Sequence, residues 1–276
     1  MDLKKTVYLV LFLFLFSILS ACGENPSNDK NASSKKTTEL TISAAASLKD
    51  ALTDIQKTYE KEHPNVKLRF NFGASGTLQQ QISQGAPSDL FFSAAEDKFD
   101  VLVKEGMIKK SEGINLVGND VVLVVPKDSE AKISTFTDLS KSSIKKISIG
   151  TPEAVPAGSY AMESFKNMKL WNTLQSKLVY AKDVRQVLSY VETGNVDAGV
   201  VYKTDALISK KVQIVASADP KTHSPIVYPV GIIKDTKHKK EAKAFYQYLQ
   251  KPSTVKTLEN YGFKKTAENK KQFTMG

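Results

Sequence analysis

The chain has 276 residues, one cysteine and a formal net charge of +10. A single cysteine excludes an intramolecular disulfide and a metal site built from several thiolates. The basic balance does not indicate nucleic-acid binding, because the lysines are scattered and no basic patch with interleaved aromatic residues is present. We expect a solvated lysine surface that attracts anions only by long-range steering.

The N-terminus has the layout of a bacterial lipoprotein signal peptide. Lys4 and Lys5 precede an apolar run from Val7 to Leu15 that continues to Leu19, and this is shorter than the about 20 residues that a spanning helix needs. The run ends at Leu19–Cys22 (LSAC), which resembles the lipobox in which the cysteine is acylated. We predict a signal peptide over 1–21, lipidation of Cys22 and a cell-membrane location on the extracytoplasmic face. A signal anchor with an incidental cysteine is the alternative.

The next segment is predicted to be a tether. Residues 24–38 contain no large apolar side chain and are rich in Ser, Asn and Lys. Such a composition cannot bury enough surface to fold. Residues 22–38 are therefore expected to act as the lipid anchor and a disordered tether.

From Leu40 onward, short β-rich runs alternate with amphipathic helical patterns, which predicts an α/β protein with mostly parallel sheets flanked by helices. The first helical pattern carries Leu48, Leu52, Ile55 and Tyr59 and must end before Pro64. The predicted strands are Leu40–Ala44, Val66–Asn71, Asp89–Ser93, Asp120–Val125, Lys146–Ile149, Leu178–Tyr180, Ala198–Tyr202, Val212–Ala216 and Ile226–Ile232.

The folded part is predicted to consist of two lobes with a ligand cleft between them. No long polar linker interrupts residues 40–263, so the lobes must be joined by strands, and Asn119–Val125 and Tyr228–Ile232 are the candidate crossings. The predicted boundaries are 39–119 with 228–276 for lobe 1, which is discontinuous, and 120–227 for lobe 2. Clefts of this kind close by hinge motion around a ligand.

Four predicted helix starts carry small or capping residues. Ser47 is predicted to be an N-cap with Asp50 three residues on. The other starts are Gly73–Thr77 with its two glycines, Pro156–Ser159, and Asp183 as the cap of the following helix. A helix N-terminus offers unpaired N–H groups and a partial positive charge, so it favours anions. Each start alone is equally consistent with an ordinary cap or turn.

At these positions the residues resemble a known family, the molybdate-binding proteins of ABC importers, over about 40–263. Six motifs carry the resemblance, in order: Ala44–Leu48 (AAASL), Phe72–Leu78 (FGASGTL), Gly85–Phe91 (GAPSDLF), Pro152–Gly158 (PEAVPAG), Asp183–Arg185 (DVR) and Gly199–Tyr202 (GVVY). The resemblance implies a two-lobed periplasmic-binding-protein fold. It also implies a receptor that binds molybdate, and tungstate with it, and passes the oxyanion to a membrane permease.

The resemblance further implies which residues hold the oxyanion. Ser47 and Ser75 would donate from one lobe, and the amides of Ala157 and Val184 with the phenol of Tyr202 from the other. No cofactor is implied, and molybdenum would enter only within the oxyanion, without a direct protein ligand. The receptor is expected to be a monomer. The sequence departs from the family at Gly76, where a serine often stands.

Three other function classes stay open at this point. An enzyme is disfavoured, because Thr77 stands where a nucleophile elbow around Ser75 needs glycine and the three histidines are dispersed. A receptor of the same fold for sulfate or phosphate is the nearer alternative, with Asp50 or Asp183 as acceptor for a phosphate proton. A structural or adhesive lipoprotein would leave the four helix starts unexplained.

Overall fold

The structure, a computed structural model, describes residues 37–266. The predicted signal peptide, Cys22 and almost all of the predicted tether lie outside the described residues. Within 37–266, no helix has both the length and the apolar character needed to cross a membrane.

The first of two sheets has six strands in the order β11-β4-β10-β3-β1-β2. Strand β1 pairs in parallel with β2 and β3, whereas β10 pairs antiparallel with β3 and β4, and β11 antiparallel with β4. The strands are β1 (Thr38–Ala45), β2 (Val66–Gly73), β3 (Leu90–Phe92), β4 (Ile108–Gly118), β10 (Val227–Ile233) and β11 (Lys264–Lys265). The helices of this half are α1 (Lys49–Glu62), α2 (Ser75–Ser83), α3 (Glu96–Lys104), α8 (Lys239–Leu249) and α9 (Pro252–Asn260).

The second sheet has five strands in the order β7-β6-β8-β5-β9. Strand β6 runs parallel to β7 and β8, and β5 pairs antiparallel with β8 and β9. The strands are β5 (Val121–Pro126), β6 (Ile147–Gly150), β7 (Leu178–Ala181), β8 (Ala198–Tyr202) and β9 (Val212–Ser217). The helices of this half are α4 (Pro156–Asn167), α5 (Trp171–Leu174), α6 (Val184–Glu192) and α7 (Lys203–Leu207). We call the two sheets with their helices the first and second lobe.

The two-lobed α/β fold is confirmed, but the strand pairing is mixed rather than mostly parallel. The difference arises at β4, β5 and β10, which follow or precede a passage between sheets and so return antiparallel to their neighbours. Strand β4 was not predicted, since Lys109, Lys110 and Glu112 interrupt any apolar alternation in its first half. The segment nevertheless forms a strand because it pairs with β10.

The chain passes between the lobes in two places. Strand β4 of the first sheet is followed, after Asn119 and Asp120, by β5 of the second, and residues 218–226 lead from β9 back to β10. The two segments predicted to cross between the lobes therefore begin at these passages. One continues as β5 of the second sheet and the other as β10 of the first. Strand β5 has five successive buried residues, as expected of a strand covered on both faces.

Amphipathic helices pack their apolar faces against both sheets. Helix α1 buries Ala51, Leu52, Ile55 and Tyr59 at helical spacing and ends at Glu62, ahead of Pro64. The carboxyl ends of strands β1, β2 and β8, the segments that follow β1, β2 and β3, and the starts of α4 and α6 supply the residues that line one small cavity.

Candidate functional site

All five residues predicted to hold an oxyanion line the same narrow, partly open cavity. The first lobe contributes Ala45, Ala46, Ser47, Gly73, Ala74, Ser75 and Ala94, and the second contributes Val155, Pro156, Ala157, Val184 and Tyr202. No lining residue is an acid, a lysine, an arginine or a histidine. The cavity therefore presents backbone groups and hydroxyls to whatever occupies it.

Ser47 does not occupy the predicted N-cap position. It lies in a short 3-10 turn over Ala46–Leu48, and the α-helix begins only at Lys49. Its hydroxyl is 2.9 Å from the phenol oxygen of Tyr228 and makes no capping bond. The predicted capping box with Asp50 is therefore wrong, because both side chains have partners outside the helix, and that of Asp50 is Arg185.

Ser75 is the first residue of α2 and is fully buried. Its Oγ accepts a 2.9 Å hydrogen bond from the backbone N–H of Ala94, in the loop after β3. Because that bond uses a lone pair of the serine oxygen, the hydroxyl hydrogen remains available for an acceptor in the cavity. The neighbouring N–H of Gly76 donates to the carbonyl of Ala154 in the second lobe at 2.9 Å.

The second lobe contributes two helix starts. Pro156 is the first residue of α4 and Ala157 the second, whereas Val184 opens α6. Neither Ala157 nor Val184 can donate its N–H within its own helix, and the described residues provide no other acceptor for it. Asp183 caps α6 as predicted, since its carboxylate accepts the N–H of Gln186 at 2.9 Å.

Tyr202 ends β8 and is almost completely buried. Its hydroxyl donates a long, 3.3 Å hydrogen bond to the carbonyl of Ala94 across the cavity. Burial raises the pKa of Tyr202 well above its usual range, so the phenol keeps its hydrogen. A long bond to a neutral carbonyl is readily exchanged for one to an anion, which is the stronger acceptor.

The nearest arginine is engaged elsewhere. Arg185 follows Val184 directly, but its guanidinium contacts the carboxylates of Asp50 at 2.5 Å and Asp205 at 2.6 Å. Its charge is thus balanced by two carboxylates outside the cavity lining. The electrostatic preference for an anion comes from the helix starts and hydroxyl dipoles, which are neutral donors.

One lining residue and two residues behind the cavity were not predicted as part of the site. Ala94 supplies the N–H that binds Ser75 and the carbonyl that binds Tyr202, and Tyr228 and Asn119 lie behind Ser47. An alanine that acts through its backbone leaves no signal in a sequence. A tyrosine within the apolar run of β10 was a weak signal at best.

The chain matches the family model for bacterial extracellular solute-binding proteins over residues 40–264. The chain belongs to this family. Its members are receptors for solutes, so this solute-binding protein is not an enzyme.

Two relatives bear out the resemblance seen in the sequence. The solute-binding protein is 57% identical over 265 residues to YvgL of Bacillus subtilis, with 96% of this chain and 99% of the relative covered. The name of YvgL provisionally describes it as an ABC transporter substrate-binding lipoprotein. The molybdate-binding protein ModA of Haemophilus influenzae is 37% identical over 231 residues, which cover 82% of this chain and 89% of ModA.

Solved structures share the fold. A substrate-binding domain from Clostridium difficile, provisionally assigned to a molybdenum ABC transporter, superposes with a TM-score of 0.65 at 46% identity and covers 83% of this chain and 100% of its own. The sulfate-binding protein SubI of Mycobacterium tuberculosis superposes with a TM-score of 0.72 at 19% identity, over 83% of this chain and 88% of SubI. The second comparison bears on the fold alone.

Proposed function

We propose that this solute-binding protein is a receptor for molybdate, and for tungstate with it, that delivers the oxyanion to the permease of an ABC importer. The observation that carries the proposal is the convergence of Ser47, Ser75, Ala157, Val184 and Tyr202 on one cavity without charged side chains. These residues offer hydroxyl and amide donors from both lobes. A buried dianion is stable only where its oxygens are fully hydrogen-bonded.

The choice of molybdate rests on the relatives together with the donor set. ModA of Haemophilus influenzae is named for molybdate, and it is 37% identical over 231 residues that cover 82% of this chain. Fixed neutral donors select an anion by its size, because a cavity shaped for a larger tetrahedron leaves the bonds to a smaller one long. Sulfate is the smaller anion and is expected to bind more weakly.

Phosphate is disfavoured by the position of the two aspartates that the sequence left open. A phosphate receptor needs an acceptor for the proton that phosphate carries at neutral pH. Asp183 caps α6 and Asp50 contacts Arg185, and neither lines the cavity. These contacts favour an anion that is fully deprotonated at neutral pH.

Isothermal titration calorimetry on the purified protein tests the proposal. Molybdate, tungstate, sulfate and phosphate are titrated side by side at neutral pH, with thermal unfolding as a second readout because a ligand that binds the native state raises the melting temperature. We expect binding and stabilisation by molybdate and tungstate, with sulfate and phosphate far weaker. No response to molybdate, or an equal response to sulfate, refutes the assignment.

The proposal includes attachment to the membrane through lipid on Cys22. The lipobox pattern of Leu19–Cys22 supports it, as does the relative YvgL, which is described as a lipoprotein and aligns with 96% of this chain. Cell fractionation of the Cys22→Ala protein is the test. Loss of the protein from the membrane fraction is expected, and unchanged membrane attachment argues against the anchor.

A further inference from the structure

The hydroxyl of Ser47 is part of a buried chain of hydrogen bonds that leads away from the cavity. Ser47 Oγ lies 2.9 Å from the phenol oxygen of Tyr228, and that phenol oxygen lies 3.1 Å from Nδ2 of Asn119. Nδ2 of Asn119 is also 2.9 Å from Oγ1 of Thr204. Tyr228 is fully buried and Asn119 and Thr204 nearly so, and none of the three lines the cavity.

The direction of this chain is fixed at Asn119. Its Oδ1 accepts the backbone N–H of Asp120 at 2.9 Å. The opposite orientation of the amide would set its NH₂ group against that N–H, two donors facing each other. The NH₂ group must therefore point to Tyr228 and Thr204, and it donates one hydrogen to each.

The direction at Asn119 determines which atom donates between Tyr228 and Ser47. The phenol oxygen of Tyr228 accepts from Asn119, and among the described residues Oγ of Ser47 is the one acceptor within hydrogen-bond distance of the phenol hydrogen. If Ser47 donated instead, this buried hydrogen would have no partner, so Tyr228 donates to Ser47. Burial also raises the pKa of Tyr228 well above its usual range, so this hydrogen is retained. Ser47 Oγ thus accepts from behind, and its hydrogen is directed towards the cavity.

Ser47 and Ser75 each accept a hydrogen bond from the protein, but from different kinds of donor. Ser75 accepts from the backbone N–H of Ala94, whereas Ser47 accepts from a side chain, Tyr228. In both cases the bond accepted from the protein leaves the serine hydrogen for the ligand, and a hydroxyl that accepts a hydrogen bond becomes a better donor. The backbone donor cannot be changed by mutation, but the side-chain donor can.

We infer that Tyr228 and Asn119 are positioning residues that hold the Ser47 hydroxyl as a hydrogen-bond donor to the bound oxyanion, an inference that rests on the proposed function. Asn119 stands in the two-residue connection between β4 and β5, and Thr204 belongs to the second lobe. The side-chain amide of Asn119, which fixes the direction of the hydrogen bond from Tyr228 to Ser47, therefore also donates to a residue of the second lobe. Rotation at this passage is expected to disturb the donor.

The first test is a double-mutant cycle on molybdate affinity, measured by calorimetry on the full-length protein. Tyr228→Phe keeps the ring and removes the hydroxyl, so we expect about tenfold weaker binding, the usual scale of one hydrogen bond to a charged group. In the Ser47→Ala background the same substitution is expected to change affinity less than twofold. Tyr59→Phe is the matched control, because Tyr59 is equally buried and its hydroxyl has no partner among the described residues.

A second variant reverses the direction of the hydrogen bonds with a side chain of the same shape. In Asn119→Asp a carboxylate oxygen replaces the NH₂ group, so Tyr228 donates to residue 119 and instead accepts from Ser47. The Ser47 hydrogen is then withdrawn from the cavity. Part of the resulting loss in affinity is expected to vanish in the Ser47→Ala background, and the part due to the added negative charge is expected to remain.

The outcomes separate the inference from the proposed function. If the native protein does not bind molybdate, the proposed function fails. If it binds, but Tyr228→Phe and Asn119→Asp act equally with and without Ser47, the chain is only structural and the inference is overturned. If Tyr228→Phe does not fold, the Asn119→Asp cycle decides alone.

Discussion

The backbone N–H of Gly76 donates a 2.9 Å hydrogen bond to the carbonyl of Ala154, and this bond joins the two lobes beside the cavity. A Cβ on Gly76 would lie 2.8 Å from that carbonyl oxygen and 2.9 Å from the Cα of Ala154. Both contacts are with backbone, which cannot move aside as a side chain can. In this arrangement of the lobes, residue 76 has room only for a hydrogen.

Gly76→Ala is therefore expected to weaken ligand binding by holding the lobes apart. Overpacking of this kind costs roughly 1–3 kcal/mol. Here it destabilises the state in which Gly76 and Ala154 of the two lobes are in contact. Calorimetry with molybdate measures the loss of affinity. Unchanged affinity for Gly76→Ala would mean that the bound state does not need this close approach.

Tyr202→Phe is expected to weaken molybdate binding by roughly 1–3 kcal/mol, the range for losing a hydrogen bond to a charged group. Within the protein the hydroxyl makes a long, 3.3 Å bond to the carbonyl of Ala94, so its loss should leave the unfolding free energy nearly unchanged. Calorimetry and urea unfolding measure the two quantities. Normal binding by this variant would remove Tyr202 from the proposed ligand set.

Arg185→Met is expected to destabilise the protein strongly, because it leaves the buried carboxylate of Asp205 without its cation. Breaking a buried ion pair costs several kcal/mol, and roughly 2–4 kcal/mol is expected here because Arg185 itself is partly exposed. Urea unfolding at neutral pH measures the loss. Arg69→Met is the control, since the Arg69–Glu39 pair is mostly exposed and should contribute at most about 1 kcal/mol.

The stability of the protein is expected to carry a pH dependence that comes from Asp205. Burial raises the pKa of its carboxyl from 3.8 to about 7, against the opposing effect of Arg185. The folded state therefore holds this proton more tightly than the unfolded chain does. The contribution of the protonated group is complete below about pH 4 and is lost as the pH rises towards about 7.

Asp205→Asn removes this titration and provides the test. The difference in unfolding free energy between the native protein and this variant is expected to change between pH 4 and pH 7, in favour of the variant as the pH rises, with a slope of at most about 1.4 kcal/mol per pH unit. A difference that stays constant over this range would show that Asp205 is ionised throughout.

Much of the fold could be predicted because its elements are local. Strands such as Ala198–Tyr202 and the helix that buries Leu52, Ile55 and Tyr59 are found at or close to the predicted residues. Strand β4 was missed, since its charged first half forms only by pairing with β10. The capping prediction at Ser47 failed for a related reason, because Tyr228, 181 residues away in the sequence, provides its partner.

The sequence by itself determined the helix starts with small or capping residues and, through its motifs, which donors to expect. These are properties of short segments, in which a proline, a glycine or a capping aspartate constrains its immediate neighbours. Only the tertiary structure decided that Ser75 accepts from Ala94, that Asn119 directs Tyr228 towards Ser47, and that Arg185 faces two carboxylates instead of the cavity. Hydrogen-bond direction depends on partners far apart in the chain, so it becomes defined only when folding brings them together.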